Sequence, residues 1–263
     1  MSILGYHMVC RFKDNRVIAA TPEERLQVTR IVLERGRPFR LLVFCLVDSH
    51  LHFEVAESFA LSMELSRRIE VAITHTLAPP TKRGSSQWRE EEKPIGFAPA
   101  FPTAIQTQAH LSKAFEYILR QREHHGLSWD AHAAASSLPD LLGLRLFGEY
   151  TADVVRELLP RVDRHLLLRH LGVEQLEPAN GPLEFLHRAV CATLGLTTLV
   201  KRTRLVRAAQ RAAVKIAGSR LQTLDLAEIL EVRPRTVQRM RKEEVDVNLE
   251  QAIRLQLALH AAI

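Results

Sequence analysis

The chain has 263 residues, 46% hydrophobic and 25% charged, with a formal net charge of +6. This length and balance suit one large or two smaller globular domains with a real core, and exclude a fibrous or disordered chain. The basic excess favours a polyanionic partner, and no apolar run approaches the length of a membrane span.

Gly5 to Phe12 reads as a first strand, ending in the turn Lys13-Asp14-Asn15-Arg16. Thr21-Pro22-Glu23-Glu24 is a helix start: Thr caps, Pro takes the first helical position, and acids fill the first turn. Gly36 ends that helix. Phe39 to Val47 is nearly all apolar, which predicts a strand at the centre of its sheet. His50 to Ala56 follows as its hairpin partner. Ser58 to Leu77 is a long helix, with Leu61, Leu65, Ile69 and Ile73 in four-residue steps. The polar, glycine-containing stretch from Thr81 to Lys93 reads as a mobile loop, and Ile95 to Ile105 as an edge strand. Thr107 to His125 is a helix ended by Gly126, and Ala131 to Tyr150 a helical wrap over the first domain. Helices are then expected at 151–159, 163–171, 182–194, 201–217, 224–231, 234–243 and 248–262. Pro178-Ala179-Asn180-Gly181-Pro182 is the clearest linker. The order predicts an α+β fold, an antiparallel sheet with helices packed on it, followed by an all-α module.

The N-terminus lacks the pattern of a secretion signal. Cys10, Cys45 and Cys191 are scattered through apolar segments and read as buried, reduced thiols. A cytoplasmic, nucleoid-associated protein with no membrane partner is the expectation.

Two patterns carry chemistry. Alternation along a strand puts His50 and His52 on one face. Helical spacing puts Tyr117 and Gln121 on one face, a turn apart. Two imidazoles and an amide oxygen can hold one divalent ion, with a phenol beside it. Three neutral ligands leave the ion's charge intact for a phosphate. Taken singly, each residue also fits an ordinary core or surface position. His110 and His124 are weak candidates for a general base, which the sequence does not identify.

Together the two patterns resemble the single-tyrosine transposases of the HUH endonuclease superfamily, most closely the REP-associated tyrosine transposases. The strand motif, His-hydrophobic-His, is matched by His50-Leu51-His52 after FRLLVFCLVD, and the helix motif by Tyr117 and Gln121 within EYILRQ. The segment HGLSWDAHAAASSLPDLLGLRL also resembles the group, so that the similarity spans about residues 5 to 147. Two positions depart from the common pattern. Asp48-Ser49 stands where the family often has Pro-Asn, and Gln121-Arg122 where the REP-associated group often has Asn-Pro. The resemblance implies a ferredoxin-like HUH domain. His50, His52 and Gln121 would hold Mg²⁺ or Mn²⁺ against single-stranded or hairpin DNA. Tyr117 would be the nucleophile, leaving a 5′-phosphotyrosine link and a free 3′-hydroxyl. Monomer and homodimer are both open.

Residues 201 to 242 carry twelve Lys or Arg against three acids. Within them, Leu224 to Leu230, a tight turn, and Pro234 to Met240 read as helix-turn-helix. Arg202, Arg204, Arg207, Arg233, Arg235, Thr236, Gln238 and Arg239 are the candidate DNA contacts. With residues 183 to 220, the stretch resembles the C-terminal DNA-binding domain of the replication initiator DnaA, and implies duplex binding. The expected domains are 1–150 for the HUH nuclease, 151–181 for a helical connector and 182–263 for the helix-turn-helix domain. The rival readings are a catalytically retired transposase acting as a sequence-specific DNA-binding regulator, and a metal-dependent RNA-processing enzyme on the same sheet.

Overall fold

A computed structural model describes residues 3–77, 96–127, 135–200 and 203–262. The loop expected at 81–93 and the candidate contact Arg202 lie outside the described residues, as does part of the wrap expected from Ala131. The chain divides into two units, Met1–Leu138 with Tyr150–Val162, and Pro139–Glu149 with Asp163–Ile263.

The first unit runs β1 (Gly5–Arg11), α1 (Pro22–Gly36), β2 (Leu41–Leu46), β3 (His50–Val55), α2 (Phe59–Leu77), β4 (Thr103–Ile105), α3 (Gln108–Leu119) and α4 (Gln121–His124). Helix α1 begins as its sequence demands. The Thr21 hydroxyl accepts from Glu24 N–H at 3.1 Å, and the Glu24 carboxylate accepts from Thr21 N–H at 3.0 Å, a reciprocal capping box. The strands form one sheet in the order β2-β3-β1-β4, with every neighbouring pair antiparallel.

Alternation gives the sheet two different faces. Met8, Cys10, Leu51 and Phe53 point one way, into the layer formed by α1 and α2, where the Cys10 thiol lies 3.2 Å from the Ser66 hydroxyl. His7, Val9, His50, His52 and Glu54 share the other face, because the register sets His52 between Val9 and Cys45 and Glu54 opposite His7. Helix α3 covers this second face, packing on β2 and β3.

Three sequence expectations are corrected. Strand β2 is at the edge of the sheet, not its centre. Its apolar composition has another cause: every residue of Leu41–Leu46 is buried, and residues 135–137 close the open edge. Leu46 N–H donates to the Ala135 carbonyl at 2.8 Å, Ser137 N–H to the Phe44 carbonyl at 3.0 Å, and Phe44 N–H to the Ser137 hydroxyl at 2.8 Å. Among the described residues, the strand expected from Ile95 shrinks to Thr103–Ile105 and an isolated bridge between Phe97 and Phe12. The helix expected from Thr107 to His125 is broken at Arg120, whose backbone departs from helical geometry at φ −90° and ψ 7°. Bonds from Arg120 N–H to Glu116 and from His124 N–H to Arg120 carry the chain on into α4, and Gly126, at φ +62°, terminates it. Short helix α5 (Leu138–Leu141) follows, and α6 (Glu149–Leu158), nearly all of it in this unit, has the Tyr150 hydroxyl donating to the Leu33 carbonyl at 2.9 Å.

In the second unit, α7 (Arg164–Arg169), α8 (Leu186–Leu194), α9 (Arg204–Ala217), α10 (Thr223–Ile229), α11 (Pro234–Met240) and α12 (Val247–Ala262) follow the expected helices closely. Asp163 and Thr203 cap α7 and α9 through their side-chain oxygens. Val190, Leu194, Val206, Ala213, Ile253 and Leu257 belong to the shared core of α8, α9 and α12. The stretch 178–182, read as a linker, is docked along α12. A Cβ on Gly181 would stand 2.7 Å from the Leu257 carbonyl oxygen, so only glycine permits this approach. Asp140 and Arg145 form a buried ion pair, with Nε donating to Oδ1 at 2.7 Å. All three cysteines are free and buried. Among the described residues no helix is long and apolar enough to cross a membrane.

Candidate metal centre beside Tyr117

The second face of the sheet gathers imidazoles from three elements. His50 and His52 come from β3, His7 from β1, and His125 from the end of α4. Ligand nitrogens of His50, His52 and His125 all lie within 4.8 Å of one another, so this cluster can hold a metal ion. The inner ring nitrogens are already engaged: His52 Nδ1 is 3.0 Å from His7 Nε2, and His50 Nδ1 is 3.1 Å from the Ser49 hydroxyl. His52 is only 5% exposed, and its Nε2 has no partner among the described residues. A buried polar atom without a partner is costly, and a ligand nitrogen waiting for an ion is one reason to keep it. The donor set therefore fits a divalent ion.

The electrostatics favour the neutral form of His7, His50 and His52, the form that binds metal. Burial, then the neighbouring imidazoles, pushes His52 down to about 3. Burial, then His110, lowers His7 to about 4. His50 is lowered by burial first and then by His125.

Tyr117 stands over this cluster on α3, 45% exposed. Its ring centroid is 6.0 Å from that of His52, 5.9 Å from His7 and 5.3 Å from His124. Gln121, one turn on, is fully buried. Its Nε2 donates to the Tyr117 carbonyl at 3.2 Å, and its Oε1 has no partner among the described residues. The four sequence candidates His50, His52, Tyr117 and Gln121 thus belong to one face of the sheet and the helix pair that covers it.

Three residues escaped the sequence reading. His125 lies four residues beyond Gln121, so it continues the stripe of Tyr117 and Gln121. His7 alternates with Val9 and Arg11, and only the β1–β3 register brings it to His52. Glu54 lies two residues beyond His52 on the same strand face. It is fully buried, neither carboxylate oxygen has a partner among the described residues, and burial pushes its carboxyl up to about 9.

In the second unit, α10 and α11 pack on each other through a turn in which Glu231 takes φ +55°. The Glu231 carboxylate accepts from the Thr198 hydroxyl at 2.9 Å and from Leu199 N–H at 2.6 Å, which holds this unfavourable backbone in place. Arg204, Arg207, Arg233, Arg235, Gln238 and Arg239 are exposed and Thr236 is half-buried. Arg239 pairs with Glu243 at 3.2 Å. Arg207, Arg233, Thr236 and Arg239 line a cavity of about 480 Å³ together with Glu228 and Glu231.

No family model, no curated protein and no solved structure matches the chain.

Proposed function

We propose that the first unit is a metal-dependent single-stranded DNA endonuclease and strand transferase, transposase-like, with Tyr117 as nucleophile. The observation that carries this reading is the position of the Tyr117 ring, 6.0 Å from the His52 ring, beside a cluster of imidazoles able to hold an ion. The β-α-β-β-α-β order with both crossover helices in one layer supports a ferredoxin-like HUH assignment.

His50 and His52, with Gln121 or His125, would hold the divalent ion, Mg²⁺ or Mn²⁺ as the resemblance implies. Bound there, the ion supplies Lewis acidity at the scissile phosphate. The half-exposed phenol reaches a strand laid across the open side of the histidine face. Its Oη forms the new bond to phosphorus while the bond from phosphorus to the 3′ oxygen breaks. The phenol proton passes to solvent, and the departing oxygen takes up a proton as a 3′-hydroxyl. One phosphate ester replaces another, so a second 3′-hydroxyl can reverse the step and join strands. The exposed arginines of α9 and α11, in a helix-turn-helix, would hold duplex DNA by its phosphates and add effective concentration at the site.

Tyr117→Phe removes the nucleophile and leaves the packing of α3 unchanged. The expected result is complete loss of the denaturant-resistant DNA adduct in Mn²⁺, with hairpin binding retained and EDTA abolishing the adduct of the parent protein. An adduct that persists in the variant refutes the role of Tyr117.

A second reading, a sequence-specific DNA-binding regulator that does not cut, draws on the exposed arginines of α11 alone. Tight duplex binding by the parent chain with no adduct from any hairpin or single strand would favour it.

A further inference from the structure

We infer that His50, His52 and His125 form an all-imidazole centre, oriented from outside by Ser49 and His7, that selects a borderline transition ion such as Co²⁺ or Zn²⁺ over Mg²⁺ and Mn²⁺. The inference rests on a metal site at this place, as proposed above, and names the ion it takes and the residues that shape it.

Three features of the geometry lead there. The first is the donor set. Three imidazoles converge within 4.8 Å, and among the described residues no carboxylate joins them. Mg²⁺ takes oxygen donors in a strict octahedron and gives up water reluctantly, whereas imidazole nitrogen suits Zn²⁺, Co²⁺ and their neighbours. A site of nitrogens alone is therefore poorly matched to Mg²⁺.

The second feature is the outer ring of partners. In a metal-bound imidazole the ring nitrogen away from the ion carries a proton and donates it, which fixes tautomer and tilt. Both strand histidines have that arrangement. His52 Nδ1 faces His7 Nε2 at 3.0 Å, and His50 Nδ1 faces the Ser49 hydroxyl at 3.1 Å. In each case Nε2 is left to the ion, and in His52 that atom is buried and without a partner among the described residues. With the ion on His52 Nε2, His52 Nδ1 would carry the proton, and His7 would accept it at Nε2 with its own proton on Nδ1. His7 is thus a positioning residue, not a ligand.

The third feature is the covalent placement of His125. Its N–H donates to the Gln121 carbonyl at 3.0 Å, and Gly126 follows in a left-handed conformation. The helix end therefore delivers His125 to the edge of the cluster; Gln121, whose Nε2 donates to the Tyr117 carbonyl at 3.2 Å and whose Oε1 has no partner among the described residues, is the rival donor that the variants below separate.

The test uses the full chain stripped with EDTA, without DNA, and reads metal alone. Co²⁺ binding is followed by its visible absorption, and Mg²⁺, Mn²⁺ and Zn²⁺ by competition against bound Co²⁺. Co²⁺ and Zn²⁺ bind one per chain, at least about tenfold tighter than Mg²⁺ or Mn²⁺. His125→Ala, at an exposed position, weakens Co²⁺ at least about tenfold and changes its spectrum, whereas Gln121→Leu moves the affinity by less than about threefold. His7→Phe weakens Co²⁺ by about 10- to 100-fold, and His7→Gln, whose amide oxygen reaches the same point, restores most of it. A merely structural His7 would show neither the loss nor the rescue, and His7→Gln answers the question if His7→Phe fails to fold. Equal affinity for Mg²⁺ and Co²⁺, or full Co²⁺ binding by His125→Ala, overturns the proposal. Because no DNA is present, failure here is distinct from failure of strand cleavage. A chain that binds Co²⁺ as stated yet forms no adduct refutes the nuclease and leaves this centre standing.

Discussion

The two units differ in how much buried polarity they leave unpaired. On the histidine face of the first unit, His52 Nε2, Gln121 Oε1 and both Glu54 oxygens are buried without partners among the described residues. In the second unit Asp140 and Arg145 are equally buried but joined to each other, the carboxylate of Glu231 is tied to Thr198 and Leu199, and the orphaned Arg211 Nε and Gln256 Oε1 belong to side chains that bond through another atom, to Glu243 and to the Leu144 carbonyl. A fold kept only for stability pairs what it buries, because each orphaned group costs about 1–3 kcal/mol. The first unit holds several such groups within one face, beside an exposed phenol. The contrast teaches that buried carboxylate and imidazole groups go unpaired on one face, the face where the proposed ion would sit.

The comparison can be broken first at its strongest point. Arg145→Leu leaves the Asp140 carboxylate buried with backbone N–H partners but no countercharge, and should destabilise the chain by about 3–5 kcal/mol in a urea titration. A loss below about 1 kcal/mol would mean that Asp140 is not buried as described. The opposite experiment in the other unit is Glu54→Leu. Removing a carboxyl that has no partner should stabilise the chain by about 1–3 kcal/mol, read in the same titration. A decrease would show that Glu54 has found a partner, and would erase the difference between the units. The smallest effect is expected on the surface. Arg235→Ala, in the first turn of α11, should weaken duplex binding about tenfold, since one lost base or phosphate contact is worth about 1–3 kcal/mol. Unchanged binding over a salt series would remove α11 from the proposed DNA interface.

Much of this was legible in the residues. The helix order, the capped start at Thr21 and the pairing of His50 with His52 follow from local periodicity, which sequence carries directly. What failed was long-range. The run FRLLVFCLV looks central because every position is apolar, yet β2 is an edge strand sealed by residues 135–137, about ninety positions away. Hydrophobicity reports that a strand is covered, not by what. His7 escaped notice for the same reason: its partner across the β1–β3 register is set by the fold of the whole sheet. His125 was within reach, since its spacing from Gln121 repeats that of Gln121 from Tyr117.

The seal over β2 has a consequence for anyone who cuts the chain. Ala135 to Ser137 supply the groups that satisfy the backbone of Phe44 and Leu46. A fragment that stops before Ala135, though it would keep Tyr117 and every histidine of the cluster, would present a bare strand of leucine, valine and phenylalanine to solvent. Such an edge recruits other strands. That truncation should self-associate, visible as early elution in gel filtration, while one ending after Val162 should remain dispersed.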